Sequence, residues 1–112
     1  MGDFSVKSER SEDVTVMTVS GRIDSVTASM LDEELGKVVR DNKKIVLDLK
    51  DVTYMSSAGV RAIVRTLQSA KKSGGGVKLA GVAKPVEEVL ENVGMMELLQ
   101  SYPSVDEAAA SF

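Results

Sequence analysis

In the stretch Thr53-Tyr54-Met55-Ser56-Ser57-Ala58-Gly59-Val60, two hydroxyls stand side by side and are followed by the two smallest side chains. A serine hydroxyl can act as a nucleophile when a base takes its proton, receive phosphate from a kinase, or cap a helix. The 112-residue chain has no Cys and no His, which excludes thiolate nucleophiles, Ser/His/Asp triads and imidazole or thiolate metal sites. A nucleophilic serine here would have to use Lys43, Lys44 or a carboxylate as its base, with no recognisable oxyanion element beside it. A protein that is not an enzyme, with no metal and no cofactor, is therefore expected.

The residues around the joint sharpen the question. Tyr54 and Met55 end an apolar, strand-like run, and Val60, Ile63, Val64 and Leu67 repeat at the i, i+3, i+4, i+7 spacing of an amphipathic helix. The joint therefore lies at the C-terminal end of a strand and opens a helix, where open α/β sheets place their ligands and partners. Ser56 or Ser57 can cap that helix, and the unpaired N–H groups of its first turn suit an anion such as phosphate. Gly59 costs a helix roughly 1 kcal/mol relative to Ala. Either something approaches closely over Ala58 and Gly59, or Gly59 relieves crowding against a neighbouring strand.

The elements that must position this joint are legible as periodicities. Phe4 to Arg10 and Asp13 to Gly21 nearly alternate apolar and polar residues around the polar turn Ser11 to Asp13, predicting an antiparallel hairpin. Leu31, Leu35, Val38 and Val39 then fall at helical spacing, with Asp24 or Ser25 as the N-cap. The run Ile45-Val46-Leu47, with Leu49, predicts a central strand covered on both faces. The Ser73 to Gly76 turn stops the second helix, and Val77 to Val82 forms another short strand. Those glycines lack the following Lys-Ser or Lys-Thr pair of a phosphate-binding loop. Pro85 opens a third helix that Gly94 closes, a weak strand lies around Leu98 to Tyr102, and Pro103 or Ser104 opens a last helix whose alanines bury little. Met95 and Met96 read as core gap-fillers or as an adaptable contact surface. The fold class is thus α/β: a mixed, mostly parallel sheet with an N-terminal β-hairpin and about four helices packed on it, in one domain over residues 1–112.

Composition narrows the partners. A formal net charge of −3 and a sequence pI near 5.0 provide no basic face for nucleic acid. No apolar run approaches the roughly 20 residues that span a bilayer, and the charged N-terminus does not read as a signal peptide. A cytoplasmic protein without membrane insertion is expected.

Four elements together resemble the STAS domains, and among them the stand-alone bacterial anti-sigma-factor antagonists: Ser20-Gly-Arg-Ile-Asp-Ser-Val-Thr-Ala28, the strand Ile45 to Met55, Ser56-Ser-Ala-Gly-Val60 opening a helix, and Gly74 to Val82. The resemblance covers nearly the whole chain and implies the STAS fold. It implies that Ser57, with Ser56 as the alternative, is phosphorylated by an anti-sigma factor with serine kinase activity and restored by a phosphatase. Unphosphorylated protein would bind that anti-sigma factor and release a sigma factor for transcription. Where this family reads Met-Asp-Ser-Ser-Gly or Met-Asp-Ser-Ala-Gly, Ser56 stands in place of the aspartate. Gly21 and Asp24, in the family's Gly-x-Leu-Asp-like turn, would join Ser56, Ser57, Ala58, Gly59 and Arg61 at the partner surface. The missing aspartate leaves an alternative, a non-switching STAS scaffold subunit of a lipid-transport ATPase or of a stress-signalling complex.

Overall fold

A computed structural model describes residues 4–94 and 98–112. The chain runs β1 (Ser5–Ser11), β2 (Val14–Ile23), α1 (Ser25–Asp41), β3 (Lys44–Met55), α2 (Ser57–Lys72), β4 (Gly76–Ala80), α3 (Lys84–Asn92), β5 (Ser101–Tyr102) and α4 (Val105–Ala110). Met95 and Met96, the pair read as core or contact surface, lie outside the described residues.

The five strands lie in the order β1-β2-β3-β4-β5. The hairpin pair β1 and β2 is antiparallel, and every later neighbour is parallel. Parallel neighbours need a crossover, and crossovers of one hand that always step the same way along a sheet lay their helices on one face. Accordingly, Leu31 and Leu35 of α1, Ile63 and Leu67 of α2, and Val86 and Leu90 of α3 join one core with Met17, Val19, Ile45, Leu47, Leu49 and Leu79 of the strands. The opposite face is thinner. There Val46 of β3 and Ala80 of β4 are covered by Ala108, flanked by Val105, Ala109, Tyr102 and Phe112.

That second layer explains why Ile45, Val46, Leu47 and Leu49 are all buried, since β3 has helices on both sides. It also corrects the reading of the C-terminal alanines. Ala108 is fully buried and Ala109 half-buried, and only Ala110 faces outward. The side chain is small because α4 must lie close to the sheet.

Several boundaries differ from the sequence pattern, among them β4, which ends at Ala80 and not Val82. β2 continues through Gly21 to Ile23 instead of stopping at the glycine, and the last strand shrinks to Ser101–Tyr102. Gly21 is tolerated because it adopts φ 93°, in the left-handed region open to glycine, beside irregular pairing. Between Thr18↔Asp48 and Ile23↔Met55, β3 uses two more residues than β2 to cover the same length, with register shifts between Thr18 and Ser20 and between Gly21 and Arg22. Such bulges bend a strand and re-aim the residues beyond them. At the end of β3 those residues are the serine joint.

Candidate functional site

The doubled serine resolves into two roles. Ser56 leaves the strand with φ −84° and ψ 166° and is the N-cap of α2, its hydroxyl accepting a hydrogen bond from the Gly59 N–H at 3.3 Å. Its own N–H donates to the Ile23 carbonyl at 2.8 Å, tying the start of α2 to the end of β2. Ser57 is the first helical residue, exposed, and its hydroxyl makes no hydrogen bond among the described residues. Capping thus falls to Ser56, leaving the Ser57 oxygen open to another molecule.

Gly59 is accounted for by packing. A Cβ there would stand 2.8 Å from Cγ2 of Ile23 and 3.1 Å from Cγ of Met55, both buried at the ends of the central strands. Of the two readings of this glycine, crowding against a neighbouring strand is the one the geometry supports. Gly59 and Gly21 are both buried, so neither offers a side chain or an open surface to a partner. They set how closely α2 sits on the strands and how β2 ends.

Asp24 is the N-cap of α1. One of its carboxylate oxygens accepts from the N–H groups of Val26 and Thr27, each at 3.0 Å, while its own N–H donates to the Thr27 hydroxyl at 2.8 Å. The Thr27 hydroxyl in turn donates to the Arg22 carbonyl at 2.8 Å. The hydrogen bond from the Thr27 N–H is the main cause holding the Asp24 carboxyl below the usual carboxylate range. Asp24 is half-buried at the same end of the sheet as Ser57, because β2 and β3 are parallel and finish together at Ile23 and Met55.

Arg61 stands one helical turn after Ser57, exposed, with no ion pair among the described residues. It borders two hollows. On the α3 side, Ser57, Val60, Arg61, Val64, Arg65 and Val93 line an apolar groove of about 340 Å³. On the α1 side, Ser25, Ser29, Asp32 and Ala58 line a shallower, polar hollow with Arg61 and Arg65. Arg65 is committed across that hollow to Asp32 at 3.1 Å.

Of the residues anticipated for the site, Asp24, Ser56, Ser57, Ala58 and Arg61 are brought to one end of the sheet, with Gly21 and Gly59 beneath them. Several neighbours escaped the sequence reading. The Arg22 guanidinium lies 4.1 Å from the centre of the Tyr54 ring, on paired residues of β2 and β3. Val26 and Met30 are 71% and 51% exposed on the side of α1 away from Leu31 and Leu35. Their i, i+4 spacing off the buried stripe was the available signal.

Other chemistry does not assemble here. Lys43 and Lys44 precede or open β3, whereas Ser57 follows its far end, the length of a 12-residue strand away, so neither lysine can serve as base to the serine. A larger hollow of about 450 Å³, bordered by Lys44, Lys71, Lys78 and Phe112, also lies at that opposite end. Among the described residues no group of three or more acidic, His or Cys side chains is placed to hold a metal, and no helix is long and apolar enough to cross a membrane.

Comparison with known proteins gives a consistent picture. The STAS domain family profile matches residues 5–108. The anti-sigma-B factor antagonist of Bacillus subtilis is 27% identical over 97 residues, which cover 87% of this chain and 89% of that protein. The anti-sigma-F factor antagonist RsfB of Mycobacterium tuberculosis is 38% identical over 72 residues, 63% of this chain and 57% of the relative. The crystal structure of an anti-sigma factor antagonist from Mycobacterium paratuberculosis superposes with a TM-score of 0.88 at 27% identity, over 98% of this chain and 94% of that one.

Proposed function

This chain belongs to the STAS domain family, and from that premise we propose that it is an anti-sigma-factor antagonist that acts in the cytoplasm and is switched at Ser57. Its partner is an anti-sigma factor with serine kinase activity. Unphosphorylated protein binds that factor with the serine end of the sheet, so that a sigma factor is released. Phosphate on Ser57 ends the complex, and a phosphatase resets it. The protein is a kinase substrate and a binding regulator, with ATP held by the partner.

The observation that carries this reading is the division of labour between the two serines. Because Ser56 caps the helix, Ser57 can be modified without removing a structural hydrogen bond. α2 has no acidic residue at its cap or in its first turn, so added negative charge on Ser57 meets the positive end of that helix. Within the free protein that is worth about 0.3–1 kcal/mol in favour of the phosphate, whereas burying the same charge unpaired against a partner costs several. Phosphorylation therefore breaks the complex and leaves the fold intact.

Wild type, Ser56→Ala and Ser57→Ala, incubated with host lysate and Mg-ATP and read by intact-mass and fragmentation spectrometry, test the assignment. One phosphoryl group on the first two and none on Ser57→Ala is expected. Ser57→Asp should lose the anti-sigma factor while melting like wild type. Ser56 in place of the family's aspartate favours a second reading, a non-switching scaffold subunit of a larger assembly. In that case Ser57→Ala and Ser57→Asp both keep the partner and wild type stays unmodified.

A further inference from the structure

We propose that phosphate on Ser57 is latched within the protein by the guanidinium of Arg61, so that one modification both adds negative charge and withdraws the cation from the docking surface. The inference rests on the Ser57 switch and specifies what the phosphate does once it is present. Residues four apart on a helix face one another at about 5–6 Å between Cβ atoms, within reach of a phosphate on one and a guanidinium on the other. Both side chains are exposed and border the same apolar groove. The neighbouring arginine on this ridge, Arg65, is already paired with Asp32, whereas Arg61 holds no ion pair among the described residues.

A planar guanidinium matches two phosphate oxygens at once, which a lysine ammonium does not. The latched pair lies along the rim of the groove formed by Val60, Val64 and Val93. In unphosphorylated protein Arg61 is available to a carboxylate beside an apolar contact on the anti-sigma factor. After phosphorylation its charge is spent internally.

The latch is tested without kinase or partner by installing phosphoserine at position 57 during synthesis and following the second phosphate ionisation by ³¹P NMR. In wild type that ionisation should fall roughly half a pH unit below its value in Arg61→Gln, the size left by solvent screening at an exposed helix face. Lys72→Gln, which removes a charge at the far end of the same helix, should match wild type. The Arg61 Nε–H resonance of the wild-type phosphoprotein should also move as the phosphate titrates. That second readout does not depend on how the variants fold. Equal ionisation in wild type and Arg61→Gln, an equal rise in Lys72→Gln, or a stationary Arg61 resonance would each overturn the latch. None of those results bears on whether a kinase modifies Ser57, which the lysate experiment decides separately.

Discussion

At Ser56 the backbone is still extended, so the hydroxyl can reach forward to the Gly59 N–H, whereas Ser57 has already entered the helix and its hydroxyl projects outward. The two serines should therefore respond oppositely to truncation. Ser56→Ala removes the cap and should lower stability by about 0.5–1 kcal/mol, toward the weak end for caps because 3.3 Å is a long bond. Ser57→Ala should change stability by less than about 0.5 kcal/mol, as surface substitutions do. Urea unfolding of the two variants separates them, and a larger loss at Ser57 would contradict the assignment of the cap. Asp24 provides a pH test at the same scale. Its carboxyl ionises below the usual range because the folded state donates N–H groups to it. Its contribution is thus fully present above the unfolded carboxylate value of about 3.9 and is lost as pH falls through the lower folded value. Wild type should melt above Asp24→Ala at pH 7, with the gap narrowing below about pH 4. A gap that stays constant down to about pH 2.5 would mean that the charge on Asp24 contributes nothing.

At the scale of the element, α2 is pressed against the ends of β2 and β3. Its first turn would be a better isolated helix with Ala in place of Gly59, by roughly 1 kcal/mol. In the folded protein the added methyl meets Ile23 and Met55, both buried. Overpacking of this kind costs about 1–3 kcal/mol and should win. Gly59→Ala is expected to lower the urea midpoint by a net loss of about 1 kcal/mol with an unchanged slope. An increase would show that the loss of helix propensity, and not contact with the strands, is what the glycine contributes. The sequence left this choice open because helical spacing identifies which face of α2 is buried but not how close the strand ends come.

Across the whole molecule, the parallel strands run one way and α1, α2 and α3 return the other way. Their N-termini gather at the serine end, and the C-termini of α1 and α2, carrying Arg40, Lys71 and Lys72, gather at the opposite end. At the hollow there, Lys71 belongs to the α2 C-terminus, whereas Lys44 and Lys78 stand on β3 and β4, paired with Asp13 and packed on Phe112. The sheet's second face depends on α4. Ala108→Asp would place a carboxylate between Val46 and Ala80 and should cost about 2–3 kcal/mol in urea unfolding. A loss below about 0.5 kcal/mol would mean that α4 merely lies on the surface.

The order of strands and helices, the amphipathic faces of α1, α2 and α3, the absence of thiol and imidazole chemistry and the place of the serine joint were all set by local properties of the sequence. Side-chain period, turn chemistry and residue type need no knowledge of distant segments. Which serine caps and which stays open, why residue 59 has no side chain, how β3 bulges beside Gly21, and that Arg61 is left unpaired among the described residues while Arg65 meets Asp32 were decided only by tertiary structure. The helix start is fixed where the Ser56 N–H meets the Ile23 carbonyl, and the others depend on distances between segments far apart in the chain: Ile23 from Gly59, Asp32 from Arg65, Gly21 from Val52. Those distances exist only once the helices have settled on the sheet.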